Sequence, residues 1–272
     1  MTTPFIAVSG RAQLHGEVAG SGDLLLFLHA GVGDRRMWTA QLQALSSTHQ
    51  VAAYDRRGFG ETPHVDEPYS QSNDLRAVLT ALGTDTATLI GASQGGQIAV
   101  DFALQFPAQV RALVLAAPAI GGAPFDLAAS QSAQALIEQA EEAEDLDQVN
   151  ALEALLWLDG PVSSAGRVGG DVRALFLQMN GAALRAVPLG EEVEEQEGYS
   201  RLSDLKVPTL ILWGDLDLPQ VQSRALDVAQ TIPGAQHQVI TGTAHLPNLE
   251  QPDTFNAHLK QFLGSVRGSY SH

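Results

Sequence analysis

The chain has 272 residues, 44% apolar and 17% charged, with a mean hydropathy near zero; this composition excludes a disordered or fibrous chain and suits one large α/β domain carrying an insertion. Fifteen Lys and Arg stand against 31 Asp and Glu, a net charge of −16, so nucleic acid and anionic lipid are repelled and neither is expected as a partner. There is no cysteine, which removes disulfides, thiolate metal sites and a cysteine nucleophile, and no apolar run approaches a membrane span and no signal-peptide pattern opens the chain, so a cytoplasmic location is expected.

Taken in chain order, residues 5–8 and 11–18 read as a leading hairpin turning at Gly10. Short apolar runs at 24–29, 51–54, 86–91, 112–116, 209–214 and 238–241 read as strands. Most are apolar throughout, as in a parallel sheet covered on both faces. Helical apolar spacing recurs at 37–45, 73–82, 94–105, 222–231 and 252–263. The expected fold class is α/β, a doubly wound, mostly parallel sheet. Residues 121–200 differ: they hold fifteen Asp and Glu against three Arg, a net −12, while the rest of the chain carries −4. Their apolar residues recur at helical spacing (Val172, Leu175, Phe176, Met179, Ala183). This predicts a core domain from residues 1–120 and 201–272, with 121–200 inserted as a helical cap.

One segment carries chemistry. Leu89-Ile90-Gly91-Ala92-Ser93-Gln94-Gly95-Gly96 is a strand ending in G-x-S-x-G and running directly into a helix. A serine at so sharp a turn needs a strained backbone, and Gly91 and Gly95 remove the side chains that would obstruct it. The turn lifts the Ser93 hydroxyl above the sheet and aims the Gln94 N–H at any oxyanion formed there.

With that motif the sequence resembles the α/β-hydrolase superfamily over nearly its whole length. Leu28-His29-Ala30-Gly31-Val32-Gly33 is similar to the family's oxyanion loop, with Ala30 replacing the usual Gly after His; the resemblance implies the Gly31 N–H as second oxyanion donor. Asp55-Arg56-Arg57-Gly58-Phe59-Gly60 resembles the family's D-x-R-G-x-G turn and is read as structural. Leu212-Trp213-Gly214-Asp215-Leu216-Asp217 is similar to the acid turn. The segment Thr243-Ala244-His245-Leu246-Pro247-Asn248-Leu249-Glu250-Gln251-Pro252 is similar to the catalytic-histidine loop, its E-x-P opening the last helix.

The implied triad is Ser93, Asp217 and His245, in the hydrolase-fold order. A serine hydroxyl needs a base that accepts and then returns its proton, and histidine suits both tasks; a carboxylate on the far ring nitrogen fixes the tautomer. Of eight histidines, His29 is read as structural, and His15, His49, His64, His237, His258 and His272 lie in strands, turns or tails with nothing to bring them over Ser93. Asp215 and Asp217 both follow the strand; family spacing favours Asp217 and leaves Asp215 as a turn carboxylate. The preceding strand offers no acid before Asp126.

Serine at the elbow, where haloalkane dehalogenases and epoxide hydrolases carry Asp, points to acyl transfer: hydrolysis of a small carboxylic ester or lactone. C–C bond hydrolysis, an enol-lactonase-like reaction on an anionic substrate, haloperoxidase-like perhydrolysis and a ligand receptor on the same fold are the alternatives. No cofactor and no metal is expected. Trp38, Trp157, Phe176, Met179 and Leu246 are the candidate pocket residues, with core packing the competing role for each. Arg167, Arg173 and Arg185 are the only cap cations able to meet an anionic substrate, and the cap's negative charge favours a neutral one. The run 191–197 is read as a solvated acidic face. The oligomeric state stays open.

Overall fold

A computed structural model describes residues 1–124, 131–193 and 197–269; Asp126, His272 and the middle of the acidic run, 194–196, lie outside the described residues.

Alternate residues of the central strands enter two different cores. In β3 (Leu24–Leu28), Leu24, Leu26 and Leu28 belong to one buried cluster and Leu25 and Phe27 to another, the period of a strand covered on both faces. The same alternation runs through β5 (Ala87–Ala92), β6 (Val110–Ala116) and β7 (Thr209–Gly214). With the hairpin β1 (Thr3–Ser9) and β2 (Ala12–Ala19), β4 (Gln50–Tyr54) and β8 (Gln236–Ile240), they form one eight-stranded sheet in the order β1-β2-β4-β3-β5-β6-β7-β8. β3 to β8 are parallel, and β1 and β2 are antiparallel. The first cluster is closed by α2 (Gln71–Ala81), α3 (Gln94–Gln105) and α7 (Pro219–Thr231), and the second by α1 (Thr39–Leu45) and, following the short α8 (Pro247–Glu250), by α9 (Pro252–Ser269). This is the doubly wound α/β sheet anticipated from the sequence.

The chain passes from β3 outward to β4 and then returns across β3 to β5, so β3 and β5 are neighbours whose following loops diverge. Such a reversal opens a crevice at the carboxyl edge of a parallel sheet. Both the 29–34 loop and the Ser93 turn leave the sheet there.

Between β6 and β7 lie α4 (Gln131–Glu142), α5 (Leu146–Glu153), a π-helical turn (Ala154–Asp159) and α6 (Gly170–Leu184). Their apolar residues join both cores: Ile137, Val149 and Leu156 the first, Leu158, Phe176 and Met179 the second. Farther along, backbone bonds from Tyr69 N to Glu191 O (2.9 Å) and Val193 N to Tyr69 O (2.7 Å) tie the segment to the loop before α2. No helix among the described residues is long and apolar enough to cross a membrane.

Candidate active site

Ser93 sits at φ 50°, ψ −117°, a conformation that costs an L-residue of the order of 1–3 kcal/mol and persists only where its surroundings impose it. Here they do. Ser93 N donates to Ala116 O (2.9 Å), and Ser93 O accepts from Gly96, Gln97 and Ala119 (2.9, 3.2 and 3.0 Å). A Cβ on Gly91 would lie 2.2 Å from Gly95 O, and one on Gly95 would lie 2.3 Å from Leu28 O, so both glycines are required by backbone contacts. Ser93 Oγ makes no hydrogen bond, to His245 or to any other described residue; such bonds often close only around substrate.

Gln94 is the first residue of α3, where a helix leaves its N–H unpaired. Gly31 stands in the adjoining loop, and neither N–H donates to another group among the described residues. That loop is held by Gly33 N to Ala30 O (3.2 Å) and by Asp34, which caps Arg36 N (2.9 Å) and binds its guanidinium. His29 is fully buried, donates from Nδ1 to Ala30 O (2.8 Å) and accepts the Arg56 N–H at Nε2 (3.0 Å). Burial, reinforced by the Arg56 charge, holds its pKa well below the usual histidine value. His29 is therefore a neutral brace with both ring nitrogens engaged.

Across the carboxyl edge, His245 Nδ1 lies 2.7 Å from Asp217 Oδ2, both side chains being buried. The other Asp217 oxygen accepts the Leu218 N–H at 2.7 Å. Asp215 faces away: its Oδ1 accepts the Gly242 N–H at 2.6 Å in an exposed turn. The His245 loop is also gripped by the inserted segment. His245 N donates to Trp157 O (3.2 Å), and the Trp157 ring lies 4.6 Å from the imidazole.

Glu250 takes the Ala244 N–H on both oxygens (2.9 and 3.0 Å) and pairs with Arg167 at 2.5 Å. Arg167 in turn donates to Leu158 O, Asp159 O and Gly242 O. Burial pushes the Glu250 carboxyl up, against the pull of Arg167.

The remaining candidates divide. Met179 and Phe176 are buried in the core cluster shared with the sheet, and Met179 Cε approaches the position a Cβ on Gly33 would take, at 3.8 Å. Leu246 is buried beside His245. Trp38 is fully buried between Phe27 and Phe255, with ring centroids at 5.2 and 6.1 Å, and packs the core. In the D-x-R-G-x-G turn, Arg57 is fixed by Asp74 (2.8 and 2.9 Å) and Glu67 (2.8 Å), and Asp55 by Arg35 and the Arg35 and Glu61 N–H groups.

The sequence reading missed two relationships. Glu250 was legible only as the start of a helix and Arg167 only as a cap cation, although a carboxylate in E-x-P and a distant arginine carry the charges that pair. Arg56, read with Arg57 as a brace, turns instead towards Gln94.

A parallel sheet with a switch point, a serine on a strained strand-to-helix turn and a buried His–Asp pair at the same edge define an α/β-hydrolase. A model of the alpha/beta hydrolase family matches residues 25–258, and the chain belongs to that family. Among its relatives is the protein named "Putative carbamate hydrolase RutD" of Azorhizobium caulinodans, 29% identical over 96% of this chain and 98% of its own. Of solved structures, a thermophilic esterase from Thermogutta terrifontis is 26% identical with a TM-score of 0.77, covering 98% of this chain and 99% of its own. Est816, described as an N-acyl homoserine lactone degrading enzyme, is 25% identical with a TM-score of 0.74, covering 94% and 99%.

Proposed function

We propose that this hydrolase cleaves a small carboxylic ester or lactone through an acyl-enzyme on Ser93. The observation that carries the reading is the His245–Asp217 bond of 2.7 Å. It places the proton on Nδ1 and leaves Nε2 as the free base. His245 Nε2 takes the Ser93 hydroxyl proton as Oγ attacks the acyl carbon. The oxyanion is received by the N–H groups of Gln94 and Gly31, and the same proton passes to the departing alkoxide. Water, deprotonated by His245, then releases the acid and restores Ser93. No step calls for a metal or cofactor.

Residues 121–200 act in this reading as a cap. Trp157 and Met179 are its contributions to the pocket wall, since they reach the His245 ring and the loop of Gly31 and Gly33. Arg167, Arg173 and Arg185 are paired with Glu250, Asp159 and Asp147, so the cap offers no spare cation to a carboxylate substrate. Neutral substrates are favoured accordingly. Relatives named as a putative carbamate hydrolase, an esterase and an N-acyl homoserine lactone degrading enzyme support the same class. Turnover of p-nitrophenyl esters by the wild type, and its loss in Ser93→Ala, tests the reading.

A further inference from the structure

The mechanism above uses the Gln94 backbone but neither its side chain nor Arg56. Arg56 occupies the x of D-x-R-G-x-G, and it behaves unlike its neighbour Arg57. It is 4% exposed, meets no carboxylate at ion-pair distance among the described residues, and lies 4.6 Å from the Phe59 ring centroid. Its Nε is buried without a partner, while Nη1 and Nη2 both donate to Gln94 Oε1 at 3.3 Å.

A guanidinium has donors only. Gln94 must therefore give its carbonyl to Arg56 and turn its NH2 group the other way, where Nε2 has no partner among the described residues. The amide rests on the oxyanion loop: a Cβ on Gly31 would lie 2.8 Å from Gln94 Cδ and Oε1 and 2.9 Å from Nε2. Gln94 as a residue is exposed. A donor group of fixed polarity thus stands beside the backbone assigned to the oxyanion, polarised from behind by a buried cation. Desolvation lowers the Arg56 pKa to about 10, which leaves it charged at neutral pH.

We propose that the Gln94 side-chain NH2 is a substrate-binding donor that selects acyl groups bearing an acceptor oxygen close to the scissile carbonyl, and that Arg56 is its positioning residue. Alkoxy, keto or hydroxy acyl groups and the ring substituents of lactones have that chemistry; a plain alkyl chain leaves the donor unpaired. This rests on the serine-hydrolase reading of the site.

The test compares p-nitrophenyl methoxyacetate with p-nitrophenyl butyrate, acyl chains of equal length in which oxygen replaces one CH2. The readout is the ratio of their kcat/KM values, so intrinsic ester reactivity cancels between variants. Gln94→Met should lower the ratio about tenfold, the discrimination one hydrogen bond gives, at unchanged Tm. Arg56→Met should lower it by a similar factor. The double variant should be no worse than Gln94→Met, because Arg56 acts through Gln94. An unchanged ratio in Gln94→Met, or independent multiplicative losses in the double variant, overturns the proposal. Should Arg56→Met not fold, Gln94→Glu keeps Arg56 paired but presents acceptors only; its ratio should fall below that of Gln94→Met, and a ratio at the wild-type value counts against the proposal. If neither ester turns over, labelling rates of Ser93 by matched alkyl and alkoxyalkyl fluorophosphonates give the same ratio. Ser93→Ala separates the two readings: if it hydrolyses butyrate normally, the assignment of Ser93 as nucleophile fails, whereas an inert Ser93→Ala with an unchanged wild-type-to-Gln94→Met ratio removes only this inference.

Discussion

Trp157 holds His245 twice: its carbonyl accepts the His245 N–H at 3.2 Å, and its indole lies 4.6 Å from the imidazole at an interplanar angle of 47°. Trp157 belongs to the π-helical turn 154–159, an irregularity that recurs at functional sites. The inserted segment is thus part of the frame that orients the His245 ring. Trp157→Ala keeps the backbone bond but frees the ring, and kcat for an ester should fall about tenfold with about 2 kcal/mol lost from stability, less than for a fully buried tryptophan. Trp157→Phe should recover most of both. Steady-state kinetics and urea unfolding check the pair of effects.

Arg167→Met strands the buried Glu250 carboxylate, and losing one partner of a buried pair costs about 3 kcal/mol at neutral pH. The sign with pH follows from the raised Glu250 pKa. The folded protein holds a proton that the unfolded chain has already released, so stability falls as pH rises from the ordinary carboxylate value through the folded one. Removing Arg167, which pulls that pKa down, widens the window upward. The deficit of Arg167→Met in unfolding free energy should therefore be greatest near pH 7 and shrink towards pH 5. Adding Glu250→Gln should restore more than half of it. A deficit independent of pH would show that Arg167 acts only through its contacts with carbonyl groups.

Asp217→Asn keeps the shape of the pair but destroys its polarity. The Nδ1 proton loses its acceptor, and kcat should drop by about 10⁴, as wrong-tautomer variants do. Asp215→Asn, in the exposed turn to Gly242, should change kcat less than about threefold and stability by under about 1 kcal/mol. Measuring both variants with one ester decides which carboxylate serves His245.

Gly95→Ala places a methyl 2.3 Å from Leu28 O, a backbone atom that cannot step aside; destabilisation of at least about 3 kcal/mol should follow, with loss of activity. Gly264, inside α9, has nothing within 4 Å of its would-be Cβ. Gly264→Ala should leave activity intact and add about 0.5–1 kcal/mol of stability. Thermal unfolding of the two variants makes the comparison.

How far the sequence could be read depended on what each segment buries. The run at β7 was found to the residue because every side chain of Thr209–Gly214 is buried. β8 begins two residues before its apolar signal, since Gln236, His237 and Gln238 lie exposed on an edge strand and carry none. The elbow was legible because Gly91 and Gly95 answer to backbone contacts that leave no alternative residue. Arg56 and Arg57 are adjacent and chemically identical, yet one faces Asp74 and Glu67 and the other faces Gln94; that difference is set by the turn they share and has no trace in composition or spacing. The Arg167–Glu250 pair spans 83 residues and emerges only when the inserted segment folds back over the His245 loop.

Ser93, activated by His245 and oriented through Asp217, is proposed to form the covalent intermediate. Peptide-mapped mass spectrometry after reaction with an alkyl fluorophosphonate tests it most directly. One label per chain is expected, on Ser93, with a labelling rate reduced by orders of magnitude in His245→Ala and Asp217→Asn and no label in Ser93→Ala. A label on another residue, or a Ser93 labelling rate indifferent to the loss of His245, would contradict it.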